Sequence, residues 1–168
     1  MVKAAIIGCG KIAQVRHIPE YLEHQAVNLV GFYDLNEKRA EELAEKYGGR
    51  AYGSVEELLA DSQIDAVSIC TANHTHAELT IKALKAGKHV LCEKPMAITL
   101  EECQRMVECA EENHRKLLIG QNQRLTRTHQ MARKLIADGE IGNVLSFQTS
   151  FQHSGPESWS VDAGKNTW

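Results

Sequence analysis

The stretch VKAAIIGCGKIAQ, near the start of the chain, limits what the chain can fold into more than any other segment. Val2–Ile7 is a mostly apolar run of strand length, Gly8 and Gly10 break it, and a helical pattern runs from about Lys11 to Glu23. Gly8, Gly10 and Ala13 therefore match G-x-G-x-x-G/A in its required strand–turn–helix context, with Lys11 and Ile12 between them. The first glycine permits a tight turn, and the second lets backbone approach a pyrophosphate resting on free N–H groups at the helix start. The small third residue lets helix and strand pack closely. Taken alone, the same residues make a structural turn and nothing more.

A second residue argues for the phosphate. Val27–Tyr33 reads as the next strand, and Asp34 ends it, about 20 residues past the loop, where a carboxylate accepts hydrogen bonds from the adenosine ribose. A carboxylate there repels a 2′-phosphate, which favours NAD over NADP. Arg39, one helical turn on, is the residue that could reach such a phosphate; its plainer reading is a solvated helix face. An S-adenosylmethionine methyltransferase also uses a glycine loop with an acid after its second strand. It gives no reason for the Lys-Pro that ends a later strand here.

The rest of the chain continues the alternation. NEKRAEELAEKYG is a helix stopped by Gly48 and Gly49, and Ser54 with Glu57 is a capping-box pattern opening a short helix. Ala66–Cys70 and Val90–Cys92 are strands separated by a helix from His76 to Ala86, closed by Gly87. Thr99 with Glu102 is a second capping box, after which Leu100, Cys103, Met106, Val107 and Ala110 share a helical face, and Leu117–Gly120 is a sixth strand. Continuous apolar strands alternating with helices imply an α/β fold, a doubly wound parallel sheet covered on both faces. After Gly120 comes one more helix, THQMARKLIADGEIG, broken at Gly139, and then the alternating run NVLSFQTSFQH, the pattern of a strand packed on one side in a different sheet. Two domains are expected: 1–120 for a dinucleotide, and 121–168 as the first helix and strand of a truncated α+β domain.

Composition narrows the partners. A net charge of −3 and pI near 6.2 give no electrostatic reason to expect nucleic acid or an anionic membrane. No apolar run approaches a membrane span, and the N-terminus lacks a signal-peptide pattern. The five cysteines are an odd number without a C-x-x-C pair and read as reduced, mostly buried thiols in a cytoplasmic protein.

The remaining question is why the strand HVLC delivers Glu93 and Lys94 in front of Pro95. In a doubly wound sheet ligands bind beyond the carboxyl ends of the strands, so both charges lie on the edge that carries the phosphate loop. A lysine there can be partly desolvated and hold its proton near a substrate oxygen, and proline fixes the backbone so that the ammonium enters the cleft. A surface ion pair is the alternative, worth little energetically.

The segments AAIIGCGKIAQVRHIP, SICTANHTHAELTIKALKAGKHVLCEKPMAITLEEC and IGQNQRLTRTHQMARKLIADGEIGNVLSFQTSF resemble the glucose–fructose oxidoreductase / inositol dehydrogenase / MocA family. The resemblance implies a Rossmann domain and NAD(P)-dependent oxidation of a secondary alcohol on a sugar, cyclitol or related polyol. Residue by residue, it implies Gly8, Gly10, Lys11, Ile12 and Ala13 at the pyrophosphate and Asp34 at the adenosine ribose. Thr71 and Asn73 fall on the nicotinamide side, and His76, opening the following helix, joins them as a cofactor contact. Glu93 approaches the nicotinamide ribose, Lys94 contacts the substrate hydroxyl as the catalytic group while also touching the cofactor, and Asn122, a further cofactor contact, leads with Arg124 into the substrate domain. Members of the family are longer. Beyond the GPESW region they carry a helix with an Asp and a His, the expected acid–base partner of the lysine, and no counterpart precedes Trp168.

The chain is accordingly expected to bind NAD(H) and to turn over weakly or not at all. From another class, it is a non-catalytic binding module whose lone second-domain strand pairs with another chain, a homo-oligomer included; an interrupted reading frame is the third reading. His74, His76 and His153 suggest metal ligands, but positions two apart at a helix start do not share a face, so no metal site is expected. Trp159 and Trp168 are candidates for stacking on a substrate, with ordinary packing the plainer reading. Cys92 is a candidate nucleophile without a basic partner, hence a buried thiol.

Overall fold

The computed structural model describes residues 1–152; His153, Trp159, Trp168 and the GPESW segment fall outside the described residues. Six parallel strands, β1 (Val2–Ile7), β2 (Val27–Tyr33), β3 (Arg50–Ala51), β4 (Ala66–Ile69), β5 (His89–Cys92) and β6 (Leu117–Ile119), form one sheet in the order β3-β2-β1-β4-β5-β6. This is the expected doubly wound Rossmann sheet, and the strand order reverses between β1 and β4, which opens a crevice at their carboxyl ends.

Because side chains alternate across a strand, β1 feeds two cores. Ala5 and Ile7 join Val67, Ile69, Val90 and Cys92 on one face, under α3 (Val55–Ala60), α4 (His76–Lys85) and α5 (Leu100–Glu112). Ile6 joins Leu29 and Phe32 on the other, under α1 (Ile18–Glu23) and α2 (Glu37–Tyr47). Phe32, Ile6, Ile7, Ile18 and Leu58 are fully enclosed, each burial stabilising by roughly 1.5–3 kcal/mol. The helix ends follow the sequence. Thr99 and Glu102 make the full reciprocal capping box of α5. Ser54 accepts from Glu57 N, but the Glu57 carboxylate reaches Gly53 N, so that box is displaced by one residue.

Three details differ from the sequence reading. In α5 the buried positions are Met106, Cys109 and Ala110, a narrow stripe at i, i+3 and i+4; Leu100, the first residue of the helix, and Val107, beside the stripe, are exposed. The two-residue strand β3 is too short to carry an alternation pattern. The helix after the glycine loop contains a π-turn, Ala13–His17, in which Ile18 N–H donates to Ala13 O before α1 begins.

Contacts divide the described residues into units 1–120 and 121–152. The second unit has a short 3-10 turn, Asn122–Leu125, and α6 (Arg127–Ala137), capped by Thr126, whose side chain accepts from His129 N. The run expected as its strand, 144–151, is not one here: it keeps its alternation but has no ladder partner among the described residues, and a strand exists only by such pairing. No helix among the described residues is long and apolar enough to cross a membrane.

Candidate functional site

The site is built where β1, β2, β4 and β5 end. Gly8 has φ of 92°, and its N–H donates to Tyr33 O across 2.8 Å. A Cβ on Gly8 would meet the Cys70 carbonyl and the Thr71 methyl at 2.8 Å, so the close approach of the β1 and β4 ends admits only glycine. Gly10 is different. A Cβ there would meet nothing within 4 Å, so nothing among the described residues requires glycine at this position. The first turn of the helix that follows leaves its N–H groups without intrahelical partners, and this cradle fits a pyrophosphate. The loop is held from both sides: Cys9 N donates to Asp34 Oδ2 at 2.7 Å, and Gln14 Nε2 donates to Cys9 O at 2.9 Å. Ala13 is fully buried, packing helix on strand as the motif demands, while Lys11 is exposed and Ile12 half-buried.

Asp34 is buried, and its carboxylate is heavily used. Oδ2 takes the Cys9 amide, Oδ1 takes the Asn36 amide at 2.8 Å, and Arg39 Nη1 lies 3.3 and 3.5 Å from the two oxygens. A carboxylate offers about four acceptor sites, so a ribose hydroxyl must compete with the two long arginine contacts. Arg39 is thus not on a solvated helix face; its side chain is 16% exposed and pairs with Asp34 because α2 starts immediately after the β2 end.

At the end of β4, Thr71 Oγ1 accepts from the Thr75 hydroxyl at 2.7 Å, and Asn73 opens a short 3-10 turn into α4. His76 is 1% exposed, and its ring nitrogens face Pro95 O at 2.7 Å and Thr71 O at 3.1 Å. Both nitrogens are committed to backbone, so the expectation that His76 meets the cofactor becomes one that it braces the loops on either side. Both ring nitrogens thus face backbone carbonyls and not a shared metal position; His153, the third member of that set, falls outside the described residues.

Glu93 follows β5, and the Lys94–Pro95 peptide bond is cis. Lys94 is exposed rather than partly desolvated by this unit. The Glu93 carboxylate accepts from Lys94 N at 3.1 Å and lies 2.8 Å from His17 Nε2. Burial pushes its pKa up, but the His17 hydrogen bond, the Lys94 amide and the neighbouring positive charge outweigh that, holding it below the ordinary glutamate value. Folding therefore lowers this pKa, so the group contributes stability present above the unfolded value and lost as pH falls through the folded one. Thermal unfolding from about pH 7 to about pH 3 should show the wild type losing more stability than Glu93→Gln, with the gap closing on acidification. Cys92 is fully buried with its thiol pushed up to about 11, chiefly by burial, which removes it as a nucleophile.

Gly8, Gly10, Ala13, Asp34, Thr71, Glu93 and Lys94 thus lie along one edge of the sheet, at the carboxyl ends of parallel strands. Asn122 and Arg124 belong to the second unit, in its 3-10 turn. The sequence reading missed His17, Ser68 and Tyr21, which join Glu93 in a buried set. The available signal was slight: His17 lies four positions after Ala13, on the side of the helix that packs inward.

The model of the oxidoreductase family with an NAD-binding Rossmann fold, GFO_IDH_MocA, matches residues 2–121. Over 90% of its length the chain is 37% identical to a glucose-6-phosphate 3-dehydrogenase of Bacillus subtilis, of which it covers 43%. Among solved structures, a putative myo-inositol dehydrogenase from Sinorhizobium meliloti superposes with a TM-score of 0.77 at 32% identity, over 84% of this chain and 43% of that one. A 3-ketoreductase from Actinomadura kijaniata, solved with NADP and TDP-benzene, gives 0.77 at 27% identity, over 82% and 42%. The chain therefore spans less than half the length of these relatives.

Proposed function

Since this chain belongs to the glucose–fructose oxidoreductase / inositol dehydrogenase / MocA family of NAD(P)-binding oxidoreductases, we propose that it supplies the cofactor half of a dehydrogenase acting on a secondary alcohol of a sugar, cyclitol or related polyol. The observation that supports this reading is the shared edge: an open glycine turn at Gly10, the Asp34 carboxylate after β2, and Glu93–Lys94 at the end of β5.

The nicotinamide, when bound, supplies the hydride chemistry at C4. The chain's own residues do the rest. The loop and helix start hold the pyrophosphate, and Asp34 orients the adenosine ribose. Glu93, held by His17, meets the ribose on the nicotinamide side. Thr71 and Asn73 line the cleft beside it. Lys94 holds a proton at the substrate oxygen as the carbon beneath it changes oxidation state.

NAD is the preferred cofactor on this reading, because Asp34 is negatively charged where a 2′-phosphate would lie, and Arg39 tempers the preference by partly neutralising that charge. Calorimetric titration is expected to show NADH binding at least about tenfold tighter than NADPH, roughly 1.4 kcal/mol. Arg39→Ala should widen the gap further. Failure to bind either nucleotide overturns the reading.

A second reading, an interaction module pairing through 144–151, is favoured by one observation: Leu145, Phe147 and Phe151 alternate and are 94%, 82% and 76% exposed. Its partner is then a second copy of this chain adding a strand. Light scattering should give a dimer that becomes a monomer when 144–151 is deleted; a monomer before deletion overturns it.

A further inference from the structure

One buried polar set has no place in the family's expected chemistry. His17, on the π-turn, and Glu93 have side chains only 8% and 12% exposed, and they meet at 2.8 Å. His17 Nδ1 lies 3.3 Å from Ser68 Oγ on β4, and the Tyr21 hydroxyl, from α1, bonds the same Ser68 oxygen. The rings of His17 and Tyr21 meet edge to face, 6.2 Å apart at 85°.

One assignment of protons satisfies every atom. Tyr21 O–H donates to Ser68 Oγ, Ser68 O–H to His17 Nδ1, and His17 Nε2–H to Glu93 Oε1, while Lys94 N–H donates to Glu93 Oε2. Every donor points towards the carboxylate. The other groups that act on this set are Glu20, beside Tyr21, the buried Cys70 thiol, which feels the Glu93 charge, and the Lys94 ammonium. The fourth side of the carboxylate is closed by Gly120, where an added Cβ would lie 3.3 Å from Oε2.

A π-turn carries His17 into this contact. It is rare, it recurs at functional sites, and here it widens the turn that carries His17, on the same helix that starts at the pyrophosphate cradle. One continuous helical stretch therefore bears the phosphate loop at its start and the clamp on Glu93 two turns later.

We propose that His17 is a positioning residue that ties the phosphate-loop helix to Glu93, fixing the carboxylate that meets the nicotinamide ribose relative to the loop that holds the pyrophosphate. This rests on the dinucleotide reading above and deepens it. A hydrogen bond to a charged group is stronger than one between neutral groups, so its loss is felt where Glu93 acts and not at the adenosine end.

The test compares two ligands on the 168-residue chain: NADH, and ADP, which lacks the nicotinamide riboside. His17→Leu should weaken NADH about tenfold or more and leave ADP within about twofold. His17→Gln, which keeps a donor within reach of Glu93, should recover most of the NADH affinity. Equal losses for both ligands, or no loss for either, overturn the proposal in favour of a merely structural histidine. Carbon-detected NMR titration of the Glu93 carboxyl, without ligand, decides the tie separately. In His17→Leu its midpoint should rise, and an unmoved midpoint overturns the proposal. A wild type that binds neither nucleotide defeats the dinucleotide reading, while the NMR titration still passes or fails His17.

Discussion

Gly10→Ala is expected to fold as well as the wild type and to lose its hold on a dinucleotide. The added methyl meets nothing within 4 Å, so no packing is disturbed. Gly10 is not among the positive-φ residues, so alanine adopts its backbone without strain and even trims unfolded-state entropy. The melting temperature should stay within about 2 °C or rise slightly. The methyl does occupy the space through which a pyrophosphate reaches the backbone, and NADH affinity should fall about a hundredfold, roughly 2.8 kcal/mol. Gly8→Ala makes the contrast. Its φ of 92° costs a side chain about 1–3 kcal/mol, and contacts of 2.8 Å with the Cys70 backbone add to that. That variant should lose about 3 kcal/mol or more and melt roughly 10 °C lower. Calorimetry with parallel thermal melts separates the two. Undiminished NADH affinity in a folded Gly10→Ala would sink the pyrophosphate assignment.

The second large effect belongs to Lys94. Lys94→Met, in a polypeptide that carries this segment and turns over a polyol, should lower kcat by about 10²- to 10⁴-fold, the range for a lost general acid–base group. The side chain is exposed in this unit, so stability should change by no more than about 0.5 kcal/mol. On the proposed role, in which the ammonium acts on the substrate, NADH affinity should move less than about threefold. Turnover within tenfold of wild type would remove Lys94 from the catalytic role, leaving a charge that merely flanks Glu93.

Much of this arrangement was legible in the sequence, for local reasons. Strands buried on both faces write themselves as apolar runs, and Thr99 with Glu102, or Gly48 and Gly49, announce helix ends through the chemistry of caps. What was not legible depends on partners distant in the chain. The two residues of β3 become a strand only because Gly31 and Phe32 lie alongside. The run 144–151 has a strand's alternation but joins no sheet among the described residues. Arg39 reads as one more charge on a polar helix until the end of β2 places Asp34 beside it. His17 reaches Glu93 across 76 positions by way of a π-turn, a deviation that no 3.6-residue periodicity announces. His76 was noticed, but its partners are the carbonyls of Thr71 and Pro95, which carry no side-chain signature.

The bond from Cys9 N to Asp34 Oδ2 bears on attempts to re-engineer cofactor choice. The obvious route to NADP is to replace Asp34 with a small neutral residue and recruit Arg39 to the new phosphate. The same carboxylate anchors the loop proposed to receive the pyrophosphate common to both cofactors. Such a switch would loosen the shared grip while removing the discrimination, so a successful design must return an acceptor to the Cys9 amide by another route.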